Sequence, residues 1–189
     1  MNRKPYLPST VTPLKSVLNQ LKRILLDKGE CFKTLNSQQF GICDPDDVKT
    51  KNPCHVQDDL NGITHFTVKN PTERDIHFLA IDHCLFLSDN SSRCDFAVFD
   101  DETFCLVEIK TASLGQRRNQ RIKAEDQLKE SVLFFRDKIE DPEKTIEAYV
   151  CLLDKKTFGP CLRTNSPTQV LRFAEMGVAL YYGDFKRFA

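Results

Sequence analysis

Residues 92–110 read SRCDFAVFDDETFCLVEIK, two apolar runs separated by Asp100-Asp101-Glu102-Thr103. So short a polar break between two strand-like runs predicts a β-hairpin. With Asp101-Glu102 as a two-residue loop, Phe99 lies opposite Phe104, Ala97 opposite Leu106 and Asp95 opposite Glu108. Side chains alternate along a strand, so Asp95, Ala97, Phe99, Phe104, Leu106, Glu108 and Lys110 share one face. Cys94, Phe96, Val98, Cys105, Val107 and Ile109 take the other. Both faces are apolar, which reads as an interior hairpin with two carboxylates and a lysine at one end. Directly opposed Cβ atoms are only about 4.5–5.5 Å apart, and like charges at that distance repel. A hard divalent cation with oxygen ligands would compensate both carboxylates. A salt bridge from Lys110 to one of them would leave the other uncompensated.

Working outward, a helix is expected from about 120 to 138, with Ala124, Leu128, Val132 and Phe135 on one stripe. Ile146–Leu153 is continuously apolar, as a buried strand should be. Ser166-Pro167 caps a helix through Met176, Gly177 ends it, and Val178–Tyr182 is a last strand. Before the hairpin, Ile63–Val68 alternates and Ile76–Leu87 has room for one or two strands. Thr12-Pro13 opens an earlier helix in which Leu14, Val17, Leu18, Leu21 and Leu25 recur at helical spacing, stopped by Gly29. Between these, 31–62 is polar, acidic and rich in turn formers, and reads as a long surface excursion. The order predicts one α/β domain over residues 1–189, a mixed central sheet flanked by helices.

Asp95 on one strand of the hairpin and Glu108-Ile109-Lys110 on the next resemble the centre of the PD-(D/E)xK nuclease superfamily. Acidic-x-Lys also occurs at Asp47-Val48-Lys49, Asp154-Lys155-Lys156 and Asp184-Phe185-Lys186. Only Glu108-Ile109-Lys110 ends an apolar strand whose partner presents an Asp in register. The sequence departs from the family pattern in having Cys94 where the motif's Pro would stand. The first helix also offers no interior Glu to complete the acidic set, Glu30 just beyond its end being the nearest candidate. The resemblance implies a restriction-endonuclease-like fold and Mg²⁺-dependent hydrolysis of nucleic acid, most readily DNA, with Mn²⁺ as an alternative ion. It implies Asp95, Glu108 and the carbonyl of Ile109 as metal ligands, with Lys110 completing the catalytic set. Two adjacent carboxylates should keep Lys110 charged, so its role is read as positioning water and stabilising developing charge. Many relatives carry a Gln on the following helix that reaches back to the site. Gln127 lies on the matching stripe, and a plain bond to backbone is the alternative reading; Ser131 stands where a Tyr would complete the related Q-x-x-x-Y pattern.

The chain has 27 Lys+Arg against 27 Asp+Glu in 189 residues, which excludes a uniformly basic coat. The charge is nevertheless sorted: Asp95–Glu108 holds five acids and no base, and Lys110–Lys123 holds five bases and no acid. An acidic pocket bordered by Arg117, Arg118, Arg121 and Lys123 suits a phosphodiester, the basic groups gripping phosphates beside the reacting one. The acids of 44–59 would repel DNA from their side of the molecule. MNRKPYLPST lacks the apolar core of a secretory signal and no run approaches a membrane span, so a cytoplasmic protein with no membrane partner is expected. Its eight cysteines are then expected to stay reduced. Two rival readings stay open: a nuclease-like fold serving as an inactive binding or assembly subunit, and a zinc module built from Cys43, Cys54 and His55. Partners beyond nucleic acid are a second copy of the chain or a larger complex.

Overall fold

The hairpin forms as its register demands. A computed structural model describes residues 31–45, 52–58, 62–86, 92–139, 144–157, 159–161 and 166–189. Strand β6 (Phe96–Phe99) pairs antiparallel with β7 (Thr103–Ala112), placing Phe99 opposite Phe104 and Ala97 opposite Leu106. Asp100 closes the turn. Its Oδ1 accepts from the amides of Glu102 and Thr103 at 2.9 and 2.7 Å, and its Oδ2 meets Arg74 at 2.8 Å.

Around the hairpin lies a six-stranded mixed sheet in the order β1-β5-β6-β7-β8-β9. Strands β1 (Phe32–Leu35) and β5 (Ile76–Ala80) continue the antiparallel half beside β6. On the other side, β8 (Thr145–Asp154) and β9 (Val178–Tyr182) run parallel to β7. Parallel neighbours need crossovers, and helices α1 (Arg117–Arg136) and α2 (Pro167–Glu175) lie in these two connections. Gly177 ends α2 at φ +68°, a conformation that costs glycine little.

A second, four-stranded mixed sheet has the order β10-β4-β2-β3. It consists of β2 (Gln39–Cys43), β3 (His55–Gln57), β4 (Phe66–Lys69) and β10 (Phe185–Arg187). The two apolar faces of the hairpin thus find two different covers. On one, Phe99 stacks on Phe104 and Phe104 on Phe135 of α1, with ring centroids 5.1 and 5.2 Å apart. On the other, Phe66 of β4 packs edge-on against Phe96 and Tyr149, and Lys186 of β10 pairs with buried Glu147 of β8 at 2.6 Å.

Three expectations are corrected. The region 31–62 carries β1, β2 and β3. Polar residues there alternate with Phe32, Phe40, Ile42 and Val56 over strands too short to stand out, so the second sheet and the edge of the first were hidden in it. Val178–Tyr182 is not the last strand, since β10 follows it. Of the one or two strands for which Ile76–Leu87 has room, it forms β5 over Ile76–Ala80, and the chain then turns at 81–86 with His83 at φ +58°. Not all cysteines are reduced: Cys31 and Cys84 form a disulfide with Cα atoms 5.9 Å apart. Antiparallel pairing of β1 with β5 brings them together, since Cys31 precedes one strand and Cys84 follows the other. The helix expected from Thr12, and Glu30, lie outside the described residues. Among those described, no helix is long and apolar enough to cross a membrane.

Candidate functional site

Several strand ends converge where the hairpin opens. Asp95 immediately precedes β6, Glu108 lies within β7, Asp82 follows β5 and Asp44 follows β2. Backbone geometry fixes the first two pairs of neighbours. The carbonyl of Asp95 accepts from the amides of Ile81 and Asp82 at 2.9 and 3.2 Å, which brings the turn after β5 against the start of β6. The Asp95 carboxylate reaches the other way, its Oδ2 accepting from the Ile109 amide at 2.6 Å. Asp44 is held from the smaller sheet, its amide donating to Nδ1 of buried His65 at 3.0 Å.

Glu108 has no exposed surface, and Asp95 is 9 % exposed. Lys110 forms an ion pair with Oε1 of Glu108. Oε2 of Glu108 is fully buried and has no hydrogen-bond partner among the described residues. A buried carboxylate oxygen without a partner is costly unless a proton or a cation answers its charge. Burial pushes the Asp95 carboxyl from the ordinary 3.8 up to about 7. Lys110 and the Ile109 amide pull it down, while Asp44 and Asp82 push it further up. Burial and then the Asp95 charge push Glu108 well above the usual carboxylate range, against the pull of Lys110. Burial alone would lower Lys110, but Glu108 and Asp95 outweigh it and hold the ammonium more firmly protonated than usual. One lysine therefore faces a surplus of carboxylates.

Helix α1 clamps the approach to Asp95. Gln127 donates from Nε2 to the carbonyl of Arg93 at 2.8 Å, and Ser131 Oγ accepts from the amide of Cys94 at 2.8 Å. The Ser131 hydroxyl in turn donates to the carbonyl of Gln127 at 2.9 Å. Gln127 is therefore bonded to backbone, the plainer of its two readings, and positions the residues just before the acid. Ser131→Ala strands the buried Cys94 amide, and about 1–3 kcal/mol of stability should be lost in urea titration. An unchanged denaturation midpoint would mean that the clamp carries no weight.

The basic stretch divides in two. Arg117 is bound to Asp154 at 2.9 Å, and Arg121 lies 3.3 Å from buried Glu125, which also accepts from the Tyr182 hydroxyl at 2.7 Å. Arg118 and Lys123 are exposed. Three residues escaped the sequence reading of the site: Asp44, Asp82 and Cys54. Asp82 could have been found by pairing β5 with β6 in register, since Ala80 lies opposite Phe96 and the next residues run beside Asp95. Asp44 gave no such signal, because its strand belongs to the other sheet. Asp44, read from sequence as one acid of the 44–59 excursion, lies beside Asp95.

The zinc set is also rearranged. Cys43 and His55 pair across β2 and β3, whereas buried Cys54 lies with Asp44 and Asp95. The ligand atoms of these last three are all within 4.8 Å of one another. Among the described residues this is the one such group of metal-capable side chains. Glu108, with its orphaned carboxylate oxygen, lies beside Asp95 but is not part of that group. Comparison with protein-family models, curated proteins and solved structures finds no match to the chain.

Proposed function

We propose that this chain is a Mg²⁺-dependent nuclease of restriction-endonuclease-like fold that hydrolyses phosphodiester bonds, with DNA as its first substrate class. The observation that carries the reading is the buried Glu108 carboxylate, set beside Asp95 with only one oxygen answered by Lys110. A structural ion pair would satisfy that oxygen and leave the rest of the cluster, Asp44 and Asp82 included, as uncompensated negative charge. Asp95, Glu108 and the carbonyl of Ile109 would hold the ion, with Mn²⁺ able to replace it.

Mg²⁺ bound there would polarise a phosphate oxygen and lower the pKa of a coordinated water. The chain's own groups do the rest. Lys110, kept charged by its two carboxylate neighbours, offers a fixed ammonium to the charge that develops on the phosphorane oxygens. It is a poor general base for the same reason. Arg118 and Lys123, exposed at the start of α1, would take the flanking phosphates, while Gln127 and Ser131 keep Asp95 in place. Arg117 and Arg121, paired with Asp154 and Glu125, would contribute to the local field more than to direct grip.

The test is cleavage of plasmid, linear duplex and single-stranded DNA, and of RNA, with Mg²⁺ and with chelator. Turnover of at least one substrate that requires the ion is the expected result. Absence of turnover on all of them, together with calorimetrically silent Mg²⁺ and Mn²⁺ titrations, would overturn it in favour of an inactive assembly subunit.

A further inference from the structure

Cys54 is the one thiol in the acidic cluster, and its position is unusual for a residue that only fills space. A buried structural cysteine sits among apolar atoms. Cys54 has 4 % exposure and its Sγ lies within 4.8 Å of carboxylate oxygens of both Asp44 and Asp95. The thiol hydrogen-bonds to the Asp44 carboxylate, so sulfur and carboxylate oxygens already face one another at bonding range. A second observation points the same way: Glu108, wholly buried beside Asp95, leaves Oε2 without a hydrogen-bond partner among the described residues. Glu108 and Asp95 act on each other as neighbouring charges, so the carboxylates here outnumber the one ammonium of Lys110 that faces them.

The three ligands come from separate pieces of chain. Asp44 leaves β2, Cys54 enters β3 and Asp95 enters β6. An ion held by all three would tie the smaller sheet to the larger at the mouth of the hairpin. A sulfur ligand also biases the choice of ion. Mg²⁺ takes oxygen ligands in near-octahedral geometry, whereas thiolate with carboxylate suits Zn²⁺ and related first-row ions. Zinc bonds of about 2.3 Å to sulfur and about 2.0–2.2 Å to oxygen would draw the three groups in by roughly 1 Å.

We infer that Asp44, Cys54 and Asp95 form a second divalent-cation position, selective for thiophilic ions of the Zn²⁺ class and sharing Asp95 with the Mg²⁺ position proposed above. The inference rests on that proposal only in taking Asp95 as a ligand, and it holds whether or not the chain cleaves nucleic acid. Binding converts the Cys54 thiol to thiolate, and its proton passes to solvent. Because the ligand is the thiolate and a proton is released, binding strengthens as pH rises.

Co²⁺ is the probe. Titration of the full, chelator-stripped chain with Co²⁺ is expected to give a thiolate-to-cobalt charge-transfer band in the near ultraviolet. Zn²⁺ should displace it one for one, and excess Mg²⁺ should not. Cys54→Ser should abolish the band and weaken Co²⁺ binding on the order of a hundredfold, because it removes the soft ligand. Cys43→Ser, on the neighbouring strand, should keep it. No band in the unsubstituted protein, a band that survives Cys54→Ser, or one lost in Cys43→Ser would overturn the site. Should Cys54→Ser fail to fold, Asp44→Asn decides: weaker Co²⁺ binding supports the site, and unchanged binding sinks it. Mg²⁺-dependent cleavage is scored separately, so loss of the hydrolytic reading with the cobalt band intact leaves this inference standing.

Discussion

Glu108→Gln is expected to lower Mg²⁺-dependent cleavage by on the order of 10²–10³-fold or more while the protein stays folded. The substitution keeps the shape of a side chain that has no exposed surface and removes only its charge. Losing a group aimed at the ion or at transition-state charge has costs of that size. Lys110→Met should fall similarly, since it removes the one cation facing the reacting phosphate. Stability makes the result diagnostic. If Glu108 were merely the partner of Lys110, breaking the pair would leave a largely buried ammonium unpaired and cost about 3–5 kcal/mol. If Glu108 is held in place for a ligand, Mg²⁺ should raise the urea midpoint of the unsubstituted protein and do little for the Gln variant, because only the former keeps the charged ligand. Initial cleavage rates and urea midpoints on the same preparations separate the two. Full activity in both variants would end the assignment of this centre.

How much of this was legible follows from the range of the interactions involved. The hairpin register could be read because a two-residue loop fixes every pair above it, and Asp100 alone closes the turn with two side-chain bonds to backbone. Strand β8 and helices α1 and α2 stood out for a similar reason: each is long or capped enough to carry its own periodicity. The smaller sheet was hidden because its strands run only three to five residues, and their partners lie far along the chain. Phe66 meets Phe96 and Tyr149, and Lys186 meets Glu147, through contacts that no local pattern announces. The candidate site divides along the same line. Asp95, Glu108 and Lys110 belong to one hairpin and could be placed together from sequence. Asp44, Cys54 and Asp82 arrive from other strand ends, and their presence follows only once the second sheet and the β5–β6 pairing are known. Nor could sequence separate Arg117 and Arg121 from Arg118 and Lys123, since their ion-pair partners are Asp154 at the end of β8 and Glu125 a turn along the helix.

Asp95→Asn is expected to stabilise the metal-free protein at pH 8 and to flatten its dependence on pH. In the folded chain the Asp95 carboxyl titrates at about 7, against an ordinary 3.8, so the folded state binds this proton more tightly than the unfolded one. Its contribution to stability is complete below about pH 4 and is lost as the pH rises through 7. Roughly three pH units at about 1.4 kcal/mol each set an upper limit of ~4 kcal/mol on that loss. Glu108, shifted the same way, adds to it. Asparagine carries no charge at any of these pH values, and its carbonyl oxygen can still accept the Ile109 amide that Oδ2 accepts at 2.6 Å. Urea titrations in chelator at pH 5 and pH 8 should therefore show the unsubstituted protein losing about 1–3 kcal/mol more than Asp95→Asn over that interval, a fraction of the limit because only the part of the titration above pH 5 falls within it. Mg²⁺ added at pH 8 should restore stability to the unsubstituted protein, because an ion that binds only the folded state stabilises it, and should do little for the variant. Parallel pH dependences for the two proteins would mean that Asp95 ionises as readily in the fold as outside it. The cluster would then carry no stored charge for a cation to relieve, and the case for a metal centre at the mouth of the hairpin would lose its energetic ground.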